Sequence, residues 1–125
     1  MLEQEGTMRW MSIGIIGIAG GFMSGLFGVG GGVIFVPLLV FFLGMNLHLT
    51  VGTSLAAIIP TALVGSLRHF SGGQVDLKTA CLLAIFASLG AWLGAGVSLQ
   101  LDALLLRRIF SLFLVFLAFR LAFAQ

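Results

Sequence analysis

The groups in this sequence that could do chemistry are mainly backbone amides. The run Gly28-Val29-Gly30-Gly31-Gly32 lies inside a long apolar stretch and interrupts any helix there, because glycine weakens a helix by about 1 kcal/mol per residue. A helix that restarts after such a break begins with N–H groups that lack intrahelical partners, and its dipole adds positive charge. Both features suit an anion. We therefore interpret Gly28, Gly30, Gly31 and Gly32 as candidate anion ligands, the alternative being that they only permit close helix packing.

A second group of candidates lies on one face of the next predicted helix. Small and polar residues recur there at helical spacing, at Thr50, Ser54, Ala57, Thr61, Gly65 and Arg68. If this face lies opposite the glycine run, the hydroxyls of Ser54 and Thr61, and of the adjacent Thr53, would donate to the same anion, and Arg68 would guide it electrostatically. The alternative is that the hydroxyls bond to their own helix and that Arg68 anchors the helix at the membrane interface.

Other kinds of chemistry are not supported by the residues present. The sequence contains no HExxH motif, no carboxylate pair and no Ser/His/Asp set. His48 and His69 fall at opposite ends of one predicted helix and cannot share a metal. The glycine run lacks the third glycine of a dinucleotide fingerprint and the Lys-Ser/Thr of a phosphate loop. Cys81, the single cysteine, lies in an apolar run as a buried or lipid-facing side chain. We predict no enzyme activity, no cofactor and no metal.

The elements that must position these residues are apolar helices. Hydrophobic residues make up 60% of the 125 residues and charged residues only 8%, where a soluble domain carries about 25%. The mean hydropathy is +1.22. A spanning helix needs about 20 apolar residues, and the runs between the charged clusters supply them. No basic stretch exceeds Arg107-Arg108, so a nucleic-acid partner is not expected. The composition predicts an all-α bundle in a lipid bilayer.

We predict a single transmembrane domain over residues 1–125 with about four spans. As one straight helix, residues 10–43 would measure about 51 Å against a hydrocarbon core of about 30 Å, so the glycine run must break them. The break could be a discontinuous span or a re-entrant hairpin. Asp76 and Asp102 are candidate N-caps of later spans. The predicted spans are residues 10–43 broken at 28–32, 47–67, 77–98 and 103–122.

Charge distribution predicts the orientation. Glu3 and Glu5 near Arg9 are the wrong charges for a signal peptide, so the first segment is expected to be retained. With four spans, one side of the membrane carries more basic residues than the other. Such a bias favours cytoplasmic termini in the cell (inner) membrane. The more basic side holds Arg9, Arg68, Lys78 and Arg120, and the other holds Arg107 and Arg108.

Several stretches of the sequence resemble one family of permeases. The segment from Gly21 to Leu39, GFMSGLFGVGGGVIFVPLL, resembles the glycine-rich first segment of TauE/SafE sulfite exporters. The resemblance continues, in the same order, at Thr53-Ser54-Leu55, Leu67-Arg68-His69 and Gly73-Gln74-Val75-Asp76. Members of that family are described as exporters of sulfite and organosulfonates. The resemblance implies a permease whose cargo is sulfite, an organosulfonate or a related sulfur oxyanion.

The length of the chain differs from that pattern. Members of the family typically have about twice as many spans, arranged as two related halves, and this sequence resembles the first half. A homodimer in which two identical chains replace the two halves is the simplest expectation. Two alternatives are pairing with a different partner half and a membrane subunit that does not transport.

Overall fold

The computed structural model describes residues 2–123, and the surroundings of side chains from Gln4 onward. Every regular element within that range is an α-helix, which confirms the predicted all-α fold. The break predicted in the first apolar segment is also confirmed, because α1 ends at Phe27 and α2 begins at Gly32. The helices are α1 (Leu2–Phe27), α2 (Gly32–Leu43), α3 (Leu47–Ser71), α4 (Leu77–Gln100) and α5 (Ala103–Phe123).

Three of the described helices have the length and composition needed to cross a membrane. They are Gln4–Phe27, Leu47–Ser71 and Leu77–Gln100. Helix α2 is apolar but has only 12 residues, about 18 Å at 1.5 Å per residue, which is short of a hydrocarbon core of about 30 Å. Helix α5 is long enough with 21 residues, but it carries three arginines, Arg107, Arg108 and Arg120. A fourth crossing by α5 stays a prediction.

The glycine break is made from left-handed backbone. Gly28, Gly30 and Gly31 have φ angles of 65°, 70° and 75°, values that glycine adopts readily because it has no Cβ. Gly31 is the N-cap of α2, and its carbonyl oxygen accepts hydrogen bonds from Ile34 N at 3.0 Å and Phe35 N at 2.7 Å. The glycines therefore turn the chain out of one helix and start the next within four residues.

The chain forms two compact units, Met1–Leu77 and Lys78–Gln125. In the first unit, α1, α2 and α3 pack against one another around Ile16, Phe35 and Leu39. The second unit consists of α4 and α5, and neither helix has a buried residue among those described. Its apolar side chains, such as Trp92 at 82% exposure, are therefore available to lipid or to other protein.

The ring of Phe35 joins α2 to α1 by lying between two glycines. Phe35 is only 5% exposed. A Cβ added at Gly20 would lie 2.7 Å from Phe35 Cδ1, and one added at Gly31 would lie 2.6 Å from Phe35 Cε2. Real carbon atoms do not approach so closely, so both positions must lack a side chain for the ring to fit. The two glycines thus form the slot that holds the broken segment together.

We expect Gly20→Ala to destabilise the protein and Gly21→Ala to leave it as stable or more so. Both residues lie inside α1, but a Cβ at Gly21 meets nothing within 4 Å. Overpacking against Phe35 costs about 1–3 kcal/mol, whereas alanine in place of an unhindered helical glycine contributes about 0.5–1 kcal/mol. Thermal unfolding in detergent, followed by circular dichroism, measures the difference. Equal unfolding temperatures for the two variants would contradict the claim that the ring of Phe35 leaves no room for a side chain at Gly20.

Candidate functional site

A cavity of about 280 Å³ lies at the glycine break. It is bordered by the end of α1, the break itself, the second half of α3 and the turn after α3, and it is open on one side. Since one water molecule takes about 30 Å³ of liquid, the space suits a small ion with a few waters. We name it the polar cavity; its lining consists of Ser24, Gly25, Gly28, Gly30, Thr61, Ala62, Gly65, Ser66, His69 and Val75.

Local sequence explains why these elements meet. Helix α1 ends where Gly28 N donates to Ser24 O at 2.9 Å and the next residues turn left-handed. On α3, Thr61, Gly65 and His69 are spaced by four, which places them in one row on the helix. The row faces the break, and Gly65 adds no side chain to fill the space. The helical period of α3 therefore builds one wall of the cavity, and the glycine break builds the other.

A larger apolar groove adjoins the polar cavity. It measures about 660 Å³ and runs between α1 and α3. Most of its lining is apolar, but it includes Arg68 and His69 in the last turn of α3. Basic side chains at that end of a helix interact favourably with the helix dipole. We name it the apolar groove; it is lined by Gly21, Phe22, Gly25, Leu26, Pro60, Thr61, Val64, Gly65, Arg68 and His69.

The side chain of His69 contacts the end of α1. Its Nε2 lies 3.3 Å from the carbonyl oxygen of Gly25. Gly25 is among the last four residues of α1, and the carbonyls of such residues have no N–H partner within the helix. His69 therefore caps an otherwise unpaired carbonyl of α1 from the neighbouring helix. Sequence reasoning missed this role, although the spacing of four and eight residues from Gly65 and Thr61 was a usable signal.

The structure brings four of the predicted site residues to these two spaces. Gly28, Gly30 and Thr61 line the polar cavity together, as expected if the polar face of α3 lies opposite the break. Arg68 lines the apolar groove, where Thr61 also contributes, and its side chain is exposed.

Gly31 and Gly32 line neither space and are used in packing. A Cβ on Gly31 would meet Phe35 and come within 3.5 Å of Ser24 Oγ. A Cβ on Gly32 would lie 3.3 Å from Ile58 Cδ1 on α3. The glycine run is thus divided between two tasks, with Gly28 and Gly30 at the cavity and the next two glycines at helix contacts.

The three predicted hydroxyl ligands all donate to their own helix. The distances from hydroxyl to carbonyl oxygen are 2.6 Å for Thr53 to Leu49, 2.9 Å for Ser54 to Val51 and 2.7 Å for Thr61 to Ala57. Ser54 is 2% exposed and Thr53 is exposed, and neither lines the cavity or the groove. A hydroxyl has one hydrogen, so donation to an anion requires that the group first rotate away from its carbonyl.

Two further hydroxyls line the polar cavity, those of Ser24 and Ser66, although the sequence pattern did not single them out. Ser24 is buried at 6% exposure beneath the turn, and Ser66 donates to Leu63 O at 2.9 Å. Ser24 is four residues before Gly28, which places it on the last turn of α1. The place of Ser24 was predictable once α1 was known to end at Phe27, because the last turn of α1 borders the space beside the glycine break.

Comparison with known proteins identifies relatives. The family model for the sulfite exporter TauE/SafE matches residues 5–125. A probable membrane transporter protein of Xylella fastidiosa is 34% identical over 103 residues, covering 82% of this chain and 39% of the relative. A protein of the same description from Haemophilus influenzae is 31% identical over 111 residues, covering 83% and 42%. The Bacillus subtilis protein YunE, also described as a probable membrane transporter, is 34% identical over 92 residues, covering 73% and 34%.

This chain spans about two-fifths of the length of the curated relatives it matches. No solved structure matches it. The family match nevertheless extends over nearly the whole chain, and the long apolar helices agree with a multi-pass membrane protein. The chain therefore belongs to the TauE/SafE family.

Proposed function

We propose that this chain forms part of a membrane permease for a small anion, and that the polar cavity holds the anion during transport. The observation that carries the proposal is the composition of the cavity: left-handed glycine backbone, hydroxyls and an imidazole line it, and no carboxylate is among the described lining residues. The relatives are described as probable membrane transporters, and the family description names sulfite. Sulfite, an organosulfonate or a related sulfur oxyanion is the proposed cargo.

Electrostatics favours an anion over a cation at this place. The positive end of the α2 dipole follows the break, but its N-cap Gly31 and first residue Gly32 do not line the cavity, so the favourable charge comes from basic side chains. Arg68 and His69 are in the last turn of α3 and line the adjoining groove. Basic groups at the edge of a cavity with low-dielectric walls raise the local concentration of anions. A cation would find no negative side chain among the described lining residues.

The proposed roles follow from position. Gly28 and Gly30 bring backbone to the anion, Thr61 donates its hydroxyl after leaving Ala57 O, and Arg68 attracts the anion from the groove. Ligand roles for the other predicted residues would require them to reach the cavity in another conformation. Those residues are Gly31, Gly32, Thr53 and Ser54.

Reconstituted protein is expected to carry at least one of sulfite, sulfate, sulfoacetate and thiosulfate across proteoliposome membranes faster than protein-free liposomes allow. Gly30→Ala should abolish most of this flux, because a methyl group there meets nothing within 4 Å and would occupy the cavity. Gly44→Ala is the matched control, since Gly44 also has a positive φ of 60° but caps the far end of α2. Each alanine costs about 1–2 kcal/mol in backbone strain.

Flux of none of the four anions would refute the proposal. Equal loss of flux in Gly30→Ala and Gly44→Ala would refute the role of the glycine break as a binding site, because backbone strain alone would then explain the effect.

Thr61→Val is expected to raise the KM for the transported anion by about tenfold. A hydrogen bond to a charged group contributes about 1.5–3 kcal/mol, and valine keeps the shape of threonine without its donor. Ser71→Ala is the control, because Ser71 Oγ also donates to a carbonyl of α3, that of Arg68 at 2.8 Å, but lines neither space. An unchanged KM in Thr61→Val would show that the hydroxyl stays on Ala57 O.

We further propose that two copies of the chain assemble into the transporting unit. Transport sites of many carriers lie between two related repeats, and this chain matches about two-fifths of the length of its relatives. A symmetric pair would supply the second repeat.

Native mass spectrometry or light scattering of the detergent-purified protein tests the assembly. We expect a stable dimer. A monomer would contradict the homodimer and favour either a different partner half or a subunit that does not transport.

A further inference from the structure

His69 lies where the polar cavity and the apolar groove meet. Four residues line both spaces: Gly25, Thr61, Gly65 and His69. Two of them are glycines, and the hydroxyl of Thr61 is turned back to Ala57 O. The imidazole of His69 is therefore the one large polar side chain among the described residues that borders both spaces.

The contact of His69 with Gly25 holds this ring across the gap between α3 and α1. A carbonyl oxygen can only accept a hydrogen bond. The contact is therefore a hydrogen bond only when Nε2 of His69 carries the hydrogen. The distance of 3.3 Å exceeds the usual value of about 2.9–3.0 Å, and the side chain is exposed. The contact is thus weak enough to open and close, and Gly25 O is left without an intrahelical partner when it opens.

His69 lies between the basic part of the groove and the glycine part of the cavity. Arg68 lines the apolar groove, whereas Gly28 and Gly30 line the polar cavity. The shared boundary therefore lies between Arg68 in the groove and the glycine backbone in the cavity. The ring of His69, in contact with Gly25 O, lies on that boundary.

We propose that His69 is a gating residue that separates the groove from the polar cavity. When the ring leaves Gly25 O, the two spaces join into one path along α1 and α3; when it returns, the cavity is closed on that side. The proposal rests on the proposed function only in taking the polar cavity as the place of the anion. The gate itself can be tested without transport.

Thiol accessibility provides that test, because the chain has a single cysteine to remove. In a Cys81→Ser background, Ser24→Cys places a reporter thiol in the polar cavity at a position that is 6% exposed. The rate of its modification by an anionic methanethiosulfonate is measured on the full chain in detergent. His69→Ala should raise this rate roughly fivefold, the equilibrium factor of one ordinary hydrogen bond.

Two further variants separate the gate from a general loosening of the fold. His69→Gln keeps an N–H donor of similar reach and should leave the rate near that of the parent. Phe70→Ala removes the neighbouring aromatic ring, which lines neither space, and should also leave it unchanged. Equal rates in His69→Ala and the parent would overturn the proposal, as would a rise of the same size in Phe70→Ala or His69→Gln.

Misfolding of His69→Ala does not end the test. If its unfolding temperature falls, His69→Asn is compared with His69→Gln, because the shorter amide cannot reach Gly25 O. The proposal requires faster labelling with Asn than with Gln, and equal rates would overturn it. Faster labelling in His69→Ala than in the parent, without anion flux, would support the gate and refute the proposed function. Anion flux without a difference in labelling rate would support the proposed function and refute the gate.

Discussion

The first unit depends on one constraint: backbone that leaves a helix in apolar surroundings must find new hydrogen-bond partners. The chain leaves the helix at Gly28 and re-enters it at Gly32. Ser24 O is satisfied by Gly28 N, and Gly31 O by the amides of α2. Gly25 O is contacted from another helix, by Nε2 of His69 at 3.3 Å. The contacts at the break therefore include one between the end of α3 and the end of α1.

The same break creates both the packing and the empty space of this unit. Phe35 fits between Gly20 and Gly31 because neither has a side chain, and its ring fixes α2 against α1. Gly28 and Gly30, which meet no neighbouring atoms where a Cβ would be, face the cavity instead. A packed slot beside an open turn would suit the proposed binding site, since the backbone that lines the cavity is held by residues that do not line it.

Much of the architecture could be predicted because it depends on local properties. Apolar length and glycine density predict where helices form and where the first one breaks, and α1 and α2 meet that expectation at Phe27 and Gly32. The surroundings of the candidate hydroxyl groups were harder to predict. Helical spacing places Ser54 and Thr61 on one face, but it does not distinguish a buried position beside α2 from one at a cavity. The hydrogen bonds of both hydroxyls to carbonyls of their own helix are compatible with helix geometry, but the sequence alone does not decide between them and a ligand.

The sequence by itself determined that this protein lies in a lipid bilayer, that it is helical, where its first helix breaks and which family it resembles. These properties depend on composition, glycine content and residue order, which can be read locally along the chain. Only the tertiary structure decided which glycines border a cavity and which pack against Phe35 and Ile58, since that depends on which helix comes to lie opposite. It also decided the role of His69, whose partner Gly25 is 44 positions away. A carbonyl left unpaired by one helix end and a ring supplied by another meet only when the chain is folded.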